Sequence, residues 1–127
     1  MSFSFDPRRG LVVVYAELEG PTGSAVLRLA LDTGATGTVV SAGMLVALGY
    51  DPALTPDRVQ ITTGSGVEFV PCVTLEKITA LGQERTVFPV LGHTLPPSAG
   101  VDGLLGLDFF RDQILTLNFR TGQATLG

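Results

Sequence analysis

The chain has 127 residues, of which 45% are hydrophobic and 16% charged, so it can bury one core and is predicted to form a single domain over residues 1–127. Its net charge of −4, without any basic cluster, excludes nucleic acid and membrane surfaces as expected partners. One cysteine and one histidine are too few for the usual zinc spacings, and the lone thiol and the lack of an apolar leader predict a cytoplasmic protein.

Glycine and proline recur at short intervals along the chain, which is typical of many short strands rather than long helices. Residues 11–18, which are rich in valine, and residues 25–31, where apolar and polar side chains alternate, flank a glycine-containing turn and predict an antiparallel hairpin. A short strand at 38–40 is followed by Ser41, a candidate helix N-cap, and by a predicted helix over residues 42–48.

The second half of the chain predicts three further hairpins, each formed by two predicted strands that flank a glycine-containing turn. Pro71 lies between two of these segments and predicts a sheet edge or a bulge, because proline disrupts a central strand. Together the elements predict an all-β fold, a small closed or folded-over β-barrel with one or two short helices. The paired segments are 58–63 with 67–70, 73–78 with 86–91, and 113–119 with 123–126.

Asp32 is the strongest candidate for a catalytic group. It stands where the hydrophobic strand at 25–31 breaks into a tight loop. Gly34 lets the backbone approach the carboxylate, and the hydroxyls of Thr33 and Thr36 can orient it, so Asp32 is a candidate general acid or base. Asp-Thr-Gly is also a common turn tripeptide, and these three residues without their flanks favour a structural turn.

The flanks of this tripeptide resemble a known family. Residues 29–36, Leu-Ala-Leu-Asp-Thr-Gly-Ala-Thr, resemble the catalytic loop of aspartic peptidases, and Ala35 is typical of the retroviral-type (retropepsin-like) branch. Further along the chain, Gly103 and the residues Leu104, Leu105 and Gly106 resemble the hydrophobic-hydrophobic-Gly motif that lies behind the catalytic loop in that family. The order of elements agrees with the family across residues 11–119.

The resemblance implies the retroviral-type acid protease fold and hydrolysis of peptide bonds, with neither a metal nor a cofactor. Asp32 would be the catalytic carboxylate and Thr33 would bond across a two-fold axis, while the carbonyl of Gly34 would contact the substrate backbone. Ala35 would also lie against the bound peptide. Thr36, which departs from the family's usual residue, would either contact the peptide as well or brace the loop. Two carboxylates held close together share one proton, so that one activates water while the other protonates the peptide carbonyl.

The glycine-rich hairpin tip midway along the chain resembles the flap that closes over bound peptide in this family. Two glycines among four residues suit a mobile lid that contacts peptide through backbone groups. Outside this context the same residues would be an ordinary flexible turn. The predicted flap residues are Thr63, Gly64, Ser65 and Gly66.

The chain carries one Asp-Thr-Gly, so a second carboxylate would have to come from a second copy of the chain. The sequence places Asp108 as the N-cap of a following helix and Asp102 in a loop, so neither serves as the second catalytic acid. The resemblance therefore implies a homodimer that acts on a peptide or protein substrate. An alternative is a catalytically silent peptide-binding module of the same fold, and a third possibility is a structural β domain with Asp32 in a turn.

Two features depart from the viral enzymes. Thr36 and Leu107 stand where those enzymes carry the Asp and Arg of an ion pair near the dimer interface. The strand that ends the viral enzymes turns back here through residues 120–122, which predicts a C-terminal hairpin in place of a free strand. Other conspicuous residues are predicted to have structural roles. His93 is expected in a loop, and Cys72 is expected to be a buried small hydrophobic residue. The pair Phe109 and Phe110 is expected in a core or interface.

Overall fold

The computed structural model describes residues 1–127, except for the side chain of Thr63. The described chain contains ten strands, two short α-helices, and one turn of 3-10 helix at Pro97–Ala99. The strands are β1 Ser2–Ser4, β2 Val13–Gly20, β3 Gly23–Leu31, β4 Val39–Val40, β5 Arg58–Thr63, β6 Gly66–Ala80, β7 Gln83–Gly92, β8 Gly103–Leu105, β9 Leu115–Asn118 and β10 Gln123–Leu126. The helices are α1 Ala42–Ala47 and α2 Leu107–Phe110. Among the described residues, no helix has both the length and the apolar character that crossing a membrane requires.

Six strands form a closed barrel, which confirms the predicted architecture. Neighbouring strands follow the order β2-β3-β8-β4-β7-β6, and β6 pairs back onto β2. Most pairs are antiparallel, but β3 with β8 and β4 with β7 are parallel. β5 pairs with the N-terminal part of β6 and extends the sheet as a two-stranded hairpin. The closed ring satisfies the backbone groups of its own strands, so only the appended hairpin presents an edge of this sheet.

The core fills the barrel because side chains alternate along its strands. In β2, Val14, Ala16 and Leu18 are buried while Tyr15 and Glu17 between them are exposed. This period of two separates an inner apolar face from an outer polar one. Helix α2 covers the core with Phe109, which is fully buried and packs edge-on against Phe88 and Phe110. The interpretation of the two phenylalanines as core residues is confirmed.

The first helix follows the sequence prediction closely. Ser41 caps α1, and its hydroxyl accepts a 3.4 Å hydrogen bond from the backbone N–H of Met44. Leu45 and Leu48 are buried in the core. Gly49 adopts φ +93° and ends the helix, a conformation that a side chain would strain.

The predicted hairpins are present, but β6 is longer than predicted. The sequence divides it at Pro71 into two segments, whereas the structure has one strand from Gly66 to Ala80. Pro71 belongs to the last pair of the β5–β6 ladder, and the pairing of β6 with β7 begins at the next residue, Cys72. The proline therefore lies where β6 changes partners, and there it does not interrupt the strand.

The two ends of the chain form a separate three-stranded sheet. β9 and β10 pair as the predicted C-terminal hairpin, with Gly122 in its turn at φ +69°. β1, which the sequence pattern did not reveal, pairs with the outer side of β10. Three residues are too few to show a periodic pattern, so this strand could not be recognised from sequence. The C-terminal strand is consequently paired within its own chain on both sides.

Candidate active site

Asp32 follows β3 directly, and the adjoining strand fixes its backbone. Its N–H donates a 2.9 Å hydrogen bond to the carbonyl of Leu105 in β8. The N–H of Gly34 donates a 2.8 Å hydrogen bond to Asp32 Oδ1, and the N–H of Ala35 donates to the Asp32 carbonyl at 3.1 Å. A Cβ on Gly34 would lie 3.1 Å from Asp32 Oδ1, so glycine permits this close approach. The half-buried carboxylate is thus oriented by the backbone of its own loop.

The second motif lies behind this loop because β8 runs between β3 and β4. Gly103 pairs with Leu29 in β3 on one side and with Val40 in β4 on the other. A Cβ on Gly103 would come within 1.9 Å of the Val39 carbonyl oxygen, and one on Gly106 within 2.7 Å of the backbone of residue 37. Both positions exclude any side chain, which explains physically why the motif begins and ends in glycine.

Thr38 and Asp108 form the polar connection between the loop and α2. Thr38 is fully buried. Its N–H donates to Asp108 Oδ2 at 3.0 Å and its hydroxyl donates to Asp108 Oδ1 at 2.7 Å. The same hydroxyl accepts a 3.1 Å hydrogen bond from the N–H of Gly106. Every polar atom of the Thr38 side chain is thereby paired, as burial requires.

The prediction that Asp108 is a helix N-cap is wrong. Gly106 occupies the N-cap position of α2, and Asp108 lies inside the helix. Its carboxylate turns away from the helix end and accepts hydrogen bonds from Thr38 instead. Two backbone bonds complete this attachment, from the N–H of Leu107 to the Ala35 carbonyl at 2.8 Å and from the N–H of Asp108 to the Thr36 carbonyl at 3.3 Å. Thr36 and Leu107, at the positions of the ion pair noted for the viral enzymes, each take part in one of these backbone bonds, but they are not bonded to each other.

A cleft of about 650 Å³ opens beside the loop. Gly34, Ala35 and Thr36, three of the predicted site residues, line it. Its other walls include β5, Cys72 in the middle of β6 and the C-terminal end of β7, which no motif in the sequence had connected with the site. These additional lining residues are Gly37, Thr38, Val39, Val59, Gln60, Ile61, Thr62, Cys72, Pro89, Val90, Leu91 and Asp108. The volume and the largely apolar walls suit an extended peptide segment.

The predicted flap is a hairpin with a two-residue turn. Thr63 pairs with Gly66, and Gly64 and Ser65 form the turn between them. Among the described residues of this tip, Gly64, Ser65 and Gly66 are not part of the cleft wall, whereas residues 59–62 of β5 are. The side chain of Thr63, a predicted substrate contact, lies outside the described residues. Which strand residues face the cleft depends on register, which the sequence did not show.

Cys72 was expected to be buried but is half-buried in the cleft wall. Its N–H donates a 2.9 Å hydrogen bond to the carbonyl of Asp57. Partial burial raises the pKa of the thiol, and the nearby charge of Asp57 raises it further. A raised pKa lowers the thiolate fraction at neutral pH, which argues against Cys72 as a nucleophile.

The comparisons with known proteins agree with this architecture. Residues 22–112 match the model of a family described as "gag-polyprotein putative aspartyl protease". No curated protein sequence matches the chain. Among solved structures, a retropepsin-like aspartic protease from Rickettsia conorii superposes with a TM-score of 0.72 at 16% sequence identity. That match covers 100% of this chain and 98% of the other, so the two proteins share the complete fold.

Proposed function

The chain belongs to the retropepsin-like aspartyl protease family, and on that premise we propose that it is an aspartic endopeptidase whose site is completed by a homodimer. Asp32 of each subunit would supply one carboxylate of the catalytic pair. The observation that carries the proposal is the Asp32 loop, whose residues Gly34, Ala35 and Thr36 line a cleft of about 650 Å³. Asp32 and Thr33 are not themselves among the lining residues, but the Asp32 carboxylate accepts a 2.8 Å hydrogen bond from the N–H of Gly34 in that wall. A peptide bound in this cleft would lie next to the Asp32 loop.

The pairing of two subunits is supported by what the other acidic residues do. The Asp102 carboxylate accepts a 2.9 Å hydrogen bond from the N–H of Arg28 in β3. Asp108 is bonded twice to Thr38. The two acids that flank the second motif, Asp102 and Asp108, are thus engaged away from Asp32, so neither offers a second catalytic carboxylate. A two-fold axis near Asp32 would bring two identical carboxylates together from a single motif per chain.

The pair would work by sharing one proton, because two carboxylates in close contact cannot both be charged at low free-energy cost. The ionised member takes a proton from water, and the resulting hydroxide attacks the peptide carbonyl. The protonated member donates its proton to the carbonyl oxygen, which becomes the hydroxyl of a tetrahedral gem-diol. Collapse of that diol breaks the C–N bond as the leaving nitrogen receives a proton.

Mixing experiments test both parts of this proposal. Asp32→Asn should reduce peptide hydrolysis at least about 10³-fold, because Asn cannot take a proton from water. When wild-type protein is mixed with a ninefold excess of this variant and allowed to exchange subunits, activity per wild-type chain should fall about tenfold, because most wild-type chains then sit in mixed dimers. Unchanged activity per wild-type chain would show that each chain contains a complete site. Full hydrolysis by the variant alone would exclude Asp32 as the catalytic residue.

A further inference from the structure

The wall of the cleft carries one formal charge at neutral pH among its described residues. Most of the lining is apolar side chain or backbone, and Asp108 contributes a carboxylate. The ion pairs of the described chain join Lys77 to Glu19 and to Glu84, so Asp108 has no cationic partner within this chain. A half-buried carboxylate in an apolar cleft therefore stands without a counter-charge.

Gly37 leaves this carboxylate open to the cleft. A Cβ at Gly37 would lie 3.7 Å from Leu91 Cδ1 and 4.0 Å from Asp108 Oδ2. These are ordinary contact distances, so a side chain at position 37 would cover both groups. Because residue 37 is glycine, the Leu91 methyl group and the Asp108 carboxylate oxygen lie side by side in the cleft wall, so an apolar surface adjoins an anionic one.

The carboxylate also retains the capacity to accept further hydrogen bonds. An ionised carboxylate has about four acceptor positions on its two oxygens. Two of these positions are occupied, one by the Thr38 N–H and one by the Thr38 hydroxyl. These bonds fix the orientation of Asp108, so a donor arriving from the cleft would meet a group that is already in place.

We propose that Gly37, Leu91 and Asp108 form a subsite that binds the side chain of a lysine or arginine in the bound peptide. The aliphatic stem of such a side chain packs on Leu91, and its cationic end forms a charge-assisted hydrogen bond with Asp108. This inference rests on the proposed function in that it takes the cleft as the peptide site. It adds to that function a preference for substrates with a basic residue at one position.

A purely structural role for Asp108 and a role in the subsite predict different effects of an Asp108 substitution on peptide binding. If Asp108 only ties the loop to α2 through Thr38, changing it weakens the binding of all peptides alike. If it also receives a cation, the change weakens binding of the basic peptide selectively. The informative quantity is therefore a ratio of affinities for two peptides, measured in each variant.

Binding is measured by calorimetry on the Asp32→Asn protein, so that turnover is not required. The probes are blocked octapeptides with a central apolar pair, in which lysine replaces each outer position in turn. At the position where lysine helps most, it should bind about fivefold more tightly than norleucine, which has a similar stem without the charge. Glutamate at that position should bind more weakly than norleucine. Equal affinity for lysine and norleucine at every position would overturn the inference.

Two variants on this background connect the preference to the subsite. Asp108→Asn should reduce the lysine-to-norleucine ratio to less than about twofold. Gly37→Ala, which retains Asp108 and its bonds to Thr38, should reduce the ratio by covering the wall. Asp112→Asn is the matched control, because Asp112 is exposed, lies outside the cleft and has a φ of +63° that asparagine tolerates. An unchanged ratio in both subsite variants would contradict the assignment.

The outcomes separate this inference from the proposed function. If the wild-type protein hydrolyses peptides but binds lysine no better than norleucine, the subsite is contradicted and the proposed peptidase activity is supported. If the wild-type protein hydrolyses none of the peptides, but a preference for lysine is measured and disappears in Asp108→Asn, the peptidase proposal is contradicted and the subsite is supported. Absence of binding to every peptide overturns both.

Discussion

The loop at residues 32–38 and strand β5 both line the cleft, yet they are held in different ways. The loop is bonded to β8 and α2 through Asp32, Thr38 and Asp108, and Thr38 is fully buried. In the part of the chain that the structure describes, β5 pairs with β6 alone, and on the β6 side of that hairpin Val67 and Phe69 are 57% and 67% exposed. Buried tertiary contacts hold the first region, and a two-stranded ladder holds most of the second.

This difference matches two requirements of the proposed peptidase site. A catalytic group works best when surrounding bonds hold it in position before substrate arrives. A cover must open to admit peptide, and local opening is easiest where few contacts are buried. Substitutions of the same kind in the two regions should therefore have unequal effects on stability.

The largest difference is expected between two glycine-to-alanine changes. Gly103→Ala would place a Cβ 1.9 Å from the Val39 carbonyl oxygen, so β8 and the neighbouring β4 must move apart, and we expect a loss of about 4 kcal/mol or more in the free energy of unfolding. In Gly64→Ala, at the tip of the β5–β6 hairpin, the added Cβ meets nothing within 4 Å, so the free energy of unfolding should change by less than about 0.5 kcal/mol. Urea denaturation followed by circular dichroism measures both. Similar losses in the two variants would remove the contrast.

A smaller effect is expected from Thr38→Val, which keeps the shape of the side chain and removes its hydroxyl. The Gly106 N–H loses its acceptor and Asp108 loses a donor, so we expect a loss of about 2–3 kcal/mol. Thr62→Val is the matched control in β5, where the side chain is exposed, and should be nearly neutral. The midpoints of urea denaturation, compared at an unchanged dependence of the free energy on urea concentration, give the stability loss of each variant. A neutral Thr38→Val would mean that water replaces the lost hydroxyl without penalty.

Gly66→Ala should affect only the tip of the β5–β6 hairpin, which is the predicted flap. Gly66 has φ +125°, which an alanine adopts only with strain. The free energy needed to open the hairpin tip should therefore fall by about 1 kcal/mol. Because the tip is not part of the buried core, global stability should hardly change, while KM for a peptide substrate should rise a few-fold. Gly64→Ala, in the same turn without a positive φ, is the control. A large fall in global stability would show that the tip is bound into the core.

The smallest expected effect concerns Cys72. Burial and Asp57 raise the pKa of its thiol, so less thiolate is present at pH 8 to 9 than in an exposed cysteine. Alkylation by iodoacetamide should therefore reach half of its maximal rate at a higher pH than in a cysteine peptide. A peptide bound in the cleft should slow the reaction further, because Cys72 lines that cleft. Mass spectrometry follows the modification, and a rate that is insensitive to peptide would place the binding site elsewhere.

The sequence revealed those parts of the fold whose geometry depends on local residue types. Gly34, Gly103 and Gly106 stand where backbone or carboxylate approaches closely, so their positions in the sequence mark the loop and the strand behind it. Ser41 and Gly49 similarly marked the ends of α1. The catalytic and substrate-binding roles of Asp32 to Thr36 and of the flap tip remain predictions for the experiments above.

Other features could not be predicted because they depend on pairs of residues that are distant in sequence. The bond between Thr38 and Asp108 joins positions 70 apart, and neither residue alone distinguishes it from a helix cap. The role of β5 in the cleft depends on strand register. Cys72 was expected to be buried because of its apolar neighbours, but it lies where β6 changes partners and remains partly accessible.

The sheet of β1, β10 and β9 has a consequence for the order of folding. Phe3 pairs with Ala124, so forming β1–β10 closes a loop that spans nearly the whole chain. Closing so long a loop is entropically expensive and slows folding until other contacts have shortened it. During synthesis, β1 leaves the ribosome long before β10 and must wait for it. We therefore expect the barrel hairpins to form early and the N-terminal strand to dock in the final step.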